Sequence, residues 1–215
     1  MSVFRNLLMS ISESGKKLPD EYQEVEYIQS DGNQYINTGL TSSRALRLDI
    51  DFEFVSLNTR YNRLFGASQI GGSQYGIRSS ITTGGTFFGE LPTQNSDEEI
   101  TTGVSIQANN RYKIIFNDNF KFYIDGNLEG SFPEYNHTGT QQIYVMRQNS
   151  PYVSANYGVA IKLYSCQLYN DGVKVRDFVP CYRKSDSVIG LYDLVNQTFY
   201  TNQGSGSFTK GTDIN

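Results

Sequence analysis

The chain has 215 residues, 19% of them charged, and a formal net charge of −4 that is scattered along its length, so neither a basic face for nucleic acid nor an acidic tail is expected. No run of about 18 apolar residues is present, so no membrane partner is expected. Tyr (16) and Phe (13) are abundant, Trp is absent, and 20 Gly with long Ser, Thr, Asn and Gln tracts suit short strands better than long helices.

Residues 1–17 differ in character from the rest of the chain. Val3, Phe4, Leu7, Leu8 and Ile11 share the i, i+3, i+4, i+7 spacing of one helical face. Too short to be stable alone in water, the stretch reads as a short helical attachment arm presenting Phe4, Leu7, Leu8 and Ile11 to a partner, or else as a frayed terminus. Ser-Glu-Ser-Gly-Lys-Lys then stands where a secretion signal needs a small-residue cleavage site, so no such signal is expected. Residues 18–215 are expected to form one all-β domain.

Residues 18–39 change the period to two, with Val25 and Tyr27 set against Glu24 and Glu26, a turn at Ser30-Asp31-Gly32, and a second strand from Tyr35. Residues 45–55 alternate cleanly, Leu46, Leu48, Ile50, Phe52 and Phe54 on one face and Arg47, Asp49, Asp51 and Glu53 on the other. Asp49-x-Asp51-x-Glu53 has the spacing of the E-x-D-x-E acid triad of sandwich-fold glycosidases. A retaining mechanism needs carboxyls about 5–5.5 Å apart, which i, i+4 residues on a strand approach only through a bulge or curvature. The first acid is Asp and no Trp platform exists, so the expected role is the solvated face of an edge or outer strand.

Residues 60–90 alternate short apolar beats with Gly-Gly pairs, a meander with no helix and Lys to make a phosphate loop. Residues 91–110 read as a long polar loop leading into a strand over 102–107. Its Asp97-Glu98-Glu99 run could hold calcium, but a solvated acid run is the preferred reading and no metal or other cofactor is expected. Residues 111–132 give three strands separated by Asn117-Asp118-Asn119 and by Asp125-Gly126-Asn127. His137, the only histidine, lacks a nucleophile elbow nearby and is expected to be a loop hydrogen-bonder. Residues 147–157 form a second polar and aromatic loop.

Residues 159–181 read as a hairpin folded at Asp171-Gly172. Pairing Asn170 with Val173 places Leu168 opposite Val175, Cys166 opposite Asp177 and Tyr164 opposite Val179, with Asp177 facing inward. Cys166 and Cys181 then share a face about 13 Å apart at about 3.3 Å per residue, beyond disulfide reach, so two buried thiols are expected, as suits a reducing cytoplasm.

Leu18, Pro19, Tyr22, Glu26-Tyr27-Ile28, Ser30, Gly32, Gln34-Tyr35-Ile36, Thr38 and Gly39 resemble the opening of laminin-G-like, concanavalin-A-like sandwich domains common in phages and prophages of gut bacteria. Residues 122–128 are similar to the strand, Asp-Gly turn and strand of that group, and residues 175–181, 189–196 and 199–208 to its closing hairpins. Asp20-Glu21 departs from it, a Gly usually preceding the first Tyr. The resemblance implies a two-sheet antiparallel jelly-roll sandwich. It also implies a virion structural protein of fibre, tail or capsid surface, made in the bacterial host cytoplasm, joined to other virion proteins through the arm, forming a homo-oligomer and binding host glycans. Tyr75, Arg78, Arg147, Asn149 and Tyr152 are the loop residues of suitable type for sugar. No catalytic residue is expected; the alternatives are a glycoside hydrolase using Asp49, Asp51 and Glu53, or a bacterial surface adhesin.

Overall fold

The computed structural model describes residues 18–57, 62–68, 74–79, 85–92, 97–150 and 158–215. The expected helical arm, with Phe4, Leu7, Leu8 and Ile11, lies outside them. Among the described residues there is no helix, and none therefore long and apolar enough to cross a membrane.

The strands run, in order, β1 (Tyr22–Glu24), β2 (Ile28–Asp31), β3 (Ile36–Ser43), β4 (Leu46–Phe54), β5 (Asn62–Ser68), β6 (Gln74–Ser79), β7 (Thr86–Pro92), β8 (Asp97–Ser105) and β9 (Arg111–Asp118). There follow β10 (Lys121–Ile124), β11 (Asn127–Ser131), β12 (Thr138–Val145), β13 (Ala160–Asn170), β14 (Val173–Arg183), β15 (Ile189–Asp193), β16 (Thr198–Thr201) and β17 (Thr209–Lys210). The larger sheet has the order β11-β10-β9-β4-β13-β14-β15-β16, with β1 on β14, β2 on β13 and β17 on β2; the smaller is β3-β12-β5-β6-β7-β8. All pairings between strands are antiparallel, so the architecture is the expected all-β jelly-roll sandwich.

Period-two alternation drives the closure. Leu48, Ile50, Phe52 and Phe54 of β4 are buried, and Phe52 and Phe54 meet Phe87 of β7 at 6.1 and 5.9 Å between ring centroids, joining the two sheets. Each fully buried aromatic contributes on the order of 2–3 kcal/mol from area removed from water. Both Asp-Gly turns form as the sequence requires, with positive φ at Asp125 and Gly126 (49° and 82°) and at Asp171 and Gly172 (49° and 74°). Where β5 pairs with β6, Gly66 faces Gly76; a Cβ on Gly66 (φ 132°) would lie 2.1 Å from the Tyr75 carbonyl oxygen, so only glycine fits.

Five expectations are corrected. The β13–β14 hairpin carries a bulge after Leu168, so Leu168 pairs with Arg176, Gln167 with Asp177 and Cys166 with Phe178. This one-residue slip turns Asp177 to the outer face and puts Cys181 on the face opposite Cys166. Both thiols are nonetheless free and buried, and burial pushes Cys181 up to about 12. β4 is a central strand between β9 and β13, not an edge. The run 97–99 belongs to β8, the edge of the smaller sheet, instead of a loop.

Candidate functional site

Two outer faces carry polar and aromatic groups. On the larger sheet the solvent side of β4 meets the neighbouring strands in a lattice of ion pairs. Arg47 Nε and Nη2 donate to both oxygens of Asp49 at 2.7 Å each, and its Nη1 reaches Asp118 at 2.9 Å. Arg111 of β9 grips Asp51 through Nε and Nη2 at 2.6 and 3.0 Å. Lys162 of β13 donates to Glu53 Oε1 at 2.7 Å, and the Tyr164 hydroxyl donates to Glu53 Oε2 at 3.0 Å. The Arg111 guanidinium also lies 3.7 Å over the Tyr164 ring.

The electrostatics follow from this pairing. The hydrogen bond from Lys162 holds the Glu53 carboxyl below its ordinary value, and burial with the Glu53 contact pushes Tyr164 up to about 12. A general acid for glycoside cleavage needs its carboxyl raised, the reverse of what Glu53 experiences. Asp49 and Asp51 each spend both oxygens on a guanidinium.

On the smaller sheet the pairing Tyr144–Asn37 and Val145–Ile36 sends Ile36 and Val145 inward. The same alternation turns Tyr35, Asn37, Gln142 and Tyr144 outward. Tyr35 and Tyr144 stack with centroids 4.6 Å apart at 24°, and the Arg147 guanidinium lies 5.2 Å from the Tyr35 centroid. Asn37 Nδ2 donates to Gln142 Oε1 at 2.6 Å, and Asn149 Nδ2 to the Gln142 carbonyl at 2.8 Å. Tyr35 is fixed from behind, its N–H donating to Asn202 Oδ1 at 3.1 Å and its carbonyl accepting from Gln203 N at 3.0 Å. Met146 takes the left-handed conformation (φ 69°), which reverses the chain after β12 while keeping its own side chain buried.

Of the five expected sugar-binding residues, Arg147 and Asn149 join this cluster. Tyr75 does not: it is 1% exposed inside the sandwich, donates its hydroxyl to the Leu46 carbonyl and is pushed strongly up by burial. Arg78 stands on β6 opposite Arg63 and Phe88, its side chain outside the described residues, as is the whole of Tyr152. Sequence reasoning missed Tyr35, Asn37, Gln142 and Tyr144; the signal available was the i, i+2 spacing within each pair.

His137 is half-buried, its Nε2 2.8 Å from Ser42 Oγ and its carbonyl accepting from Arg44 N, so it pins residues 133–139 to the β3–β4 turn, as a loop hydrogen-bonder should. Burial lowers its pKa. Among the described residues no three His, Cys, Asp or Glu side chains converge to hold a metal; Glu98 and Glu99 point to solvent, and the Asp97 side chain lies outside them. A recess of about 460 Å³ is lined by Leu18, Pro19, Asp20, Tyr192, Leu194 and Gln197.

The fold resembles that of a pentraxin. The crystal structure of a native heptameric SAP-like pentraxin from Limulus polyphemus matches over 88% of this chain and 94% of that one, with a TM-score of 0.52 at 9% sequence identity. The likeness is one of fold, the concanavalin A-like jelly roll of two packed antiparallel sheets. No family model and no curated protein matches the sequence.

Proposed function

We propose that the protein is a non-catalytic, lectin-like structural component of a phage particle that presents its sandwich to host-surface glycans. The observation that carries the sugar-binding part is the Tyr35–Tyr144 stack with Arg147 against it and Asn37, Gln142 and Asn149 beside it. Aromatic surface takes the apolar side of a sugar, and planar amides and guanidinium take its hydroxyls. The phage setting rests on the sequence resemblance of residues 18–39, 122–128, 175–181, 189–196 and 199–208, and implies folding in the host cytoplasm followed by incorporation into the virion. Residues 1–17 serve as the attachment arm to other virion proteins, and the heptameric state of the pentraxin neighbour accords with a homo-oligomer.

The hydrolase alternative is disfavoured by the same pairing that stabilises the larger sheet: Asp49, Asp51 and Glu53 are each held by a cation, and Glu53 is more acidic than an unperturbed carboxyl. Glycan-array binding by the full chain and by Tyr144→Ala, with oligomeric mass measured with and without residues 1–17, tests the proposal. Array binding abolished by Tyr144→Ala, and an oligomer lost with the arm, are expected. Polysaccharide cleavage abolished by Glu53→Gln would refute the non-catalytic reading.

A further inference from the structure

We infer that the Tyr35–Tyr144 face selects saccharides bearing a carboxylate, with Arg147 as the residue that reads the acid group; this rests on the sugar-binding reading above. The guanidiniums of Arg44, Arg47, Arg111, Arg176 and Arg183 all engage carboxylates. Arg147 makes no hydrogen bond or ion pair with any described residue and lies against the ring of Tyr35. A guanidinium laid against an aromatic ring keeps its plane but leaves its N–H fork free, the geometry that receives a carboxylate through two parallel bonds.

Two further observations point the same way. The amides around Arg147 are already committed, Asn37 to Gln142 and Asn149 to the Gln142 carbonyl, so they offer fixed edges to hydroxyls and no competing anion for Arg147. The left-handed Met146 fixes the chain immediately before Arg147, so the guanidinium is placed by backbone as well as by its ring contact. A neutral sugar would use the tyrosines and leave the Arg147 fork to water. An acidic sugar fills both, and the tyrosine surface favours a pyranose ring over the flexible side chain of an acidic peptide.

The experiment is calorimetric titration of the full chain with sialylated and hexuronate oligosaccharides, with the same oligosaccharides after carboxyl reduction, and with polyglutamate. Wild type is expected to bind the reduced forms about ten- to a hundredfold more weakly than the acidic ones, the loss of a charge-assisted bidentate contact. Arg147→Gln should bind both forms equally at the weaker level, Arg147→Lys should recover part of the difference, and Tyr144→Ala should lose both. Equal binding of acidic and reduced forms by wild type, still lost in Tyr144→Ala, would overturn the inference and leave the sugar-binding reading standing. Polyglutamate binding as tight as the acidic sugars would overturn the assignment to saccharides. Failure to bind any saccharide would remove the inference together with the reading beneath it.

Discussion

Removal of the Asp193 carboxylate tests whether one buried charge ties the closing hairpins to the sandwich. Its side chain is 0% exposed, and Oδ1 accepts the N–H groups of Asp177 and Val195 at 2.9 and 3.0 Å. Oδ2 lies 3.4 Å from Nε of Arg176, which is itself only 15% exposed and donates to the Thr38 carbonyl of β3 in the opposite sheet at 3.1 Å. Asp193→Ala therefore strands two backbone donors and takes the carboxylate away from a guanidinium that keeps its bonds to the Thr38 and Val175 carbonyls. Hydrogen bonds to a charged acceptor are worth about 1.5–3 kcal/mol each, and orphaning one member of a buried pair costs about 3–5 kcal/mol. The two figures cover the same groups and are not summed, which leaves a loss of about 4 kcal/mol. At about 2–4 °C per kcal/mol for a chain of this length, Tm should fall by about 8–16 °C. Asp193→Asn keeps Oδ1 for the two N–H groups but turns an amide towards Arg176, so it should recover about half of the loss. Scanning calorimetry on the three full-length chains measures this. An Ala variant melting within about 3 °C of wild type, less than 1–2 kcal/mol, would refute the reasoning, as would an Asn variant no better than Ala.

Tyr75→Phe removes the hydroxyl that donates to the Leu46 carbonyl and meets the Asn117 side chain, and should lower stability by about 1–2 kcal/mol in urea titrations while leaving glycan binding unchanged; lost binding would return Tyr75 to the site. Gly66→Ala drives a methyl into the Tyr75 carbonyl and should cost about 3 kcal/mol, read as a lower urea midpoint, whereas Gly103→Ala meets open space and should cost under about 1 kcal/mol. Burial depresses the His137 pKa, so its contribution to stability is whole above the unfolded value of about 6.5 and is lost as pH falls from there through the lower folded value. The Glu53 carboxyl, depressed by Lys162, adds a second loss that begins near the unfolded carboxyl value of about 4.3 as pH falls further. The urea midpoint should drop between pH 7 and 5 in wild type and drop less in His137→Asn; identical pH slopes would contradict the assignment.

Local pattern made most of the fold legible. The alternation of residues 46–54 marked the buried face of β4, and the Asp-Gly pairs at 125–126 and 171–172 marked two hairpins, because each signal is confined to a few neighbouring residues. What the sequence hid depends on partners far along the chain. Nothing local announces the bulge after Leu168 that reassigns Asp177 and Cys181, nor that β4 lies between β9 and β13, where its carboxylates find Arg111 and Lys162. The site was half legible for the same reason. Arg147 and Asn149 sat in an evident polar loop, whereas Tyr35 and Tyr144 become neighbours only when β3 pairs with β12. Tyr75 misled because the glycines near it in sequence look like a loop, while Gly66 and Gly76 let β5 and β6 pair closely and Tyr75 itself is buried.

The outer margin of β8, beyond which the smaller sheet has no further strand among the described residues, bears on life at high density. A lone strand with open amide and carbonyl groups is a template on which a second copy can polymerise, and molecules arrayed side by side meet that hazard constantly. Here Glu98 and Glu99 project from that margin, and Glu129 Oε2 occupies the Gly103 N–H at 3.2 Å from the neighbouring β11. Two copies joining margin to margin at about 4.8 Å would force like charges together and expel that carboxylate. Crowding is thereby steered away from ribbon growth, leaving contacts elsewhere on the molecule to decide how copies assemble.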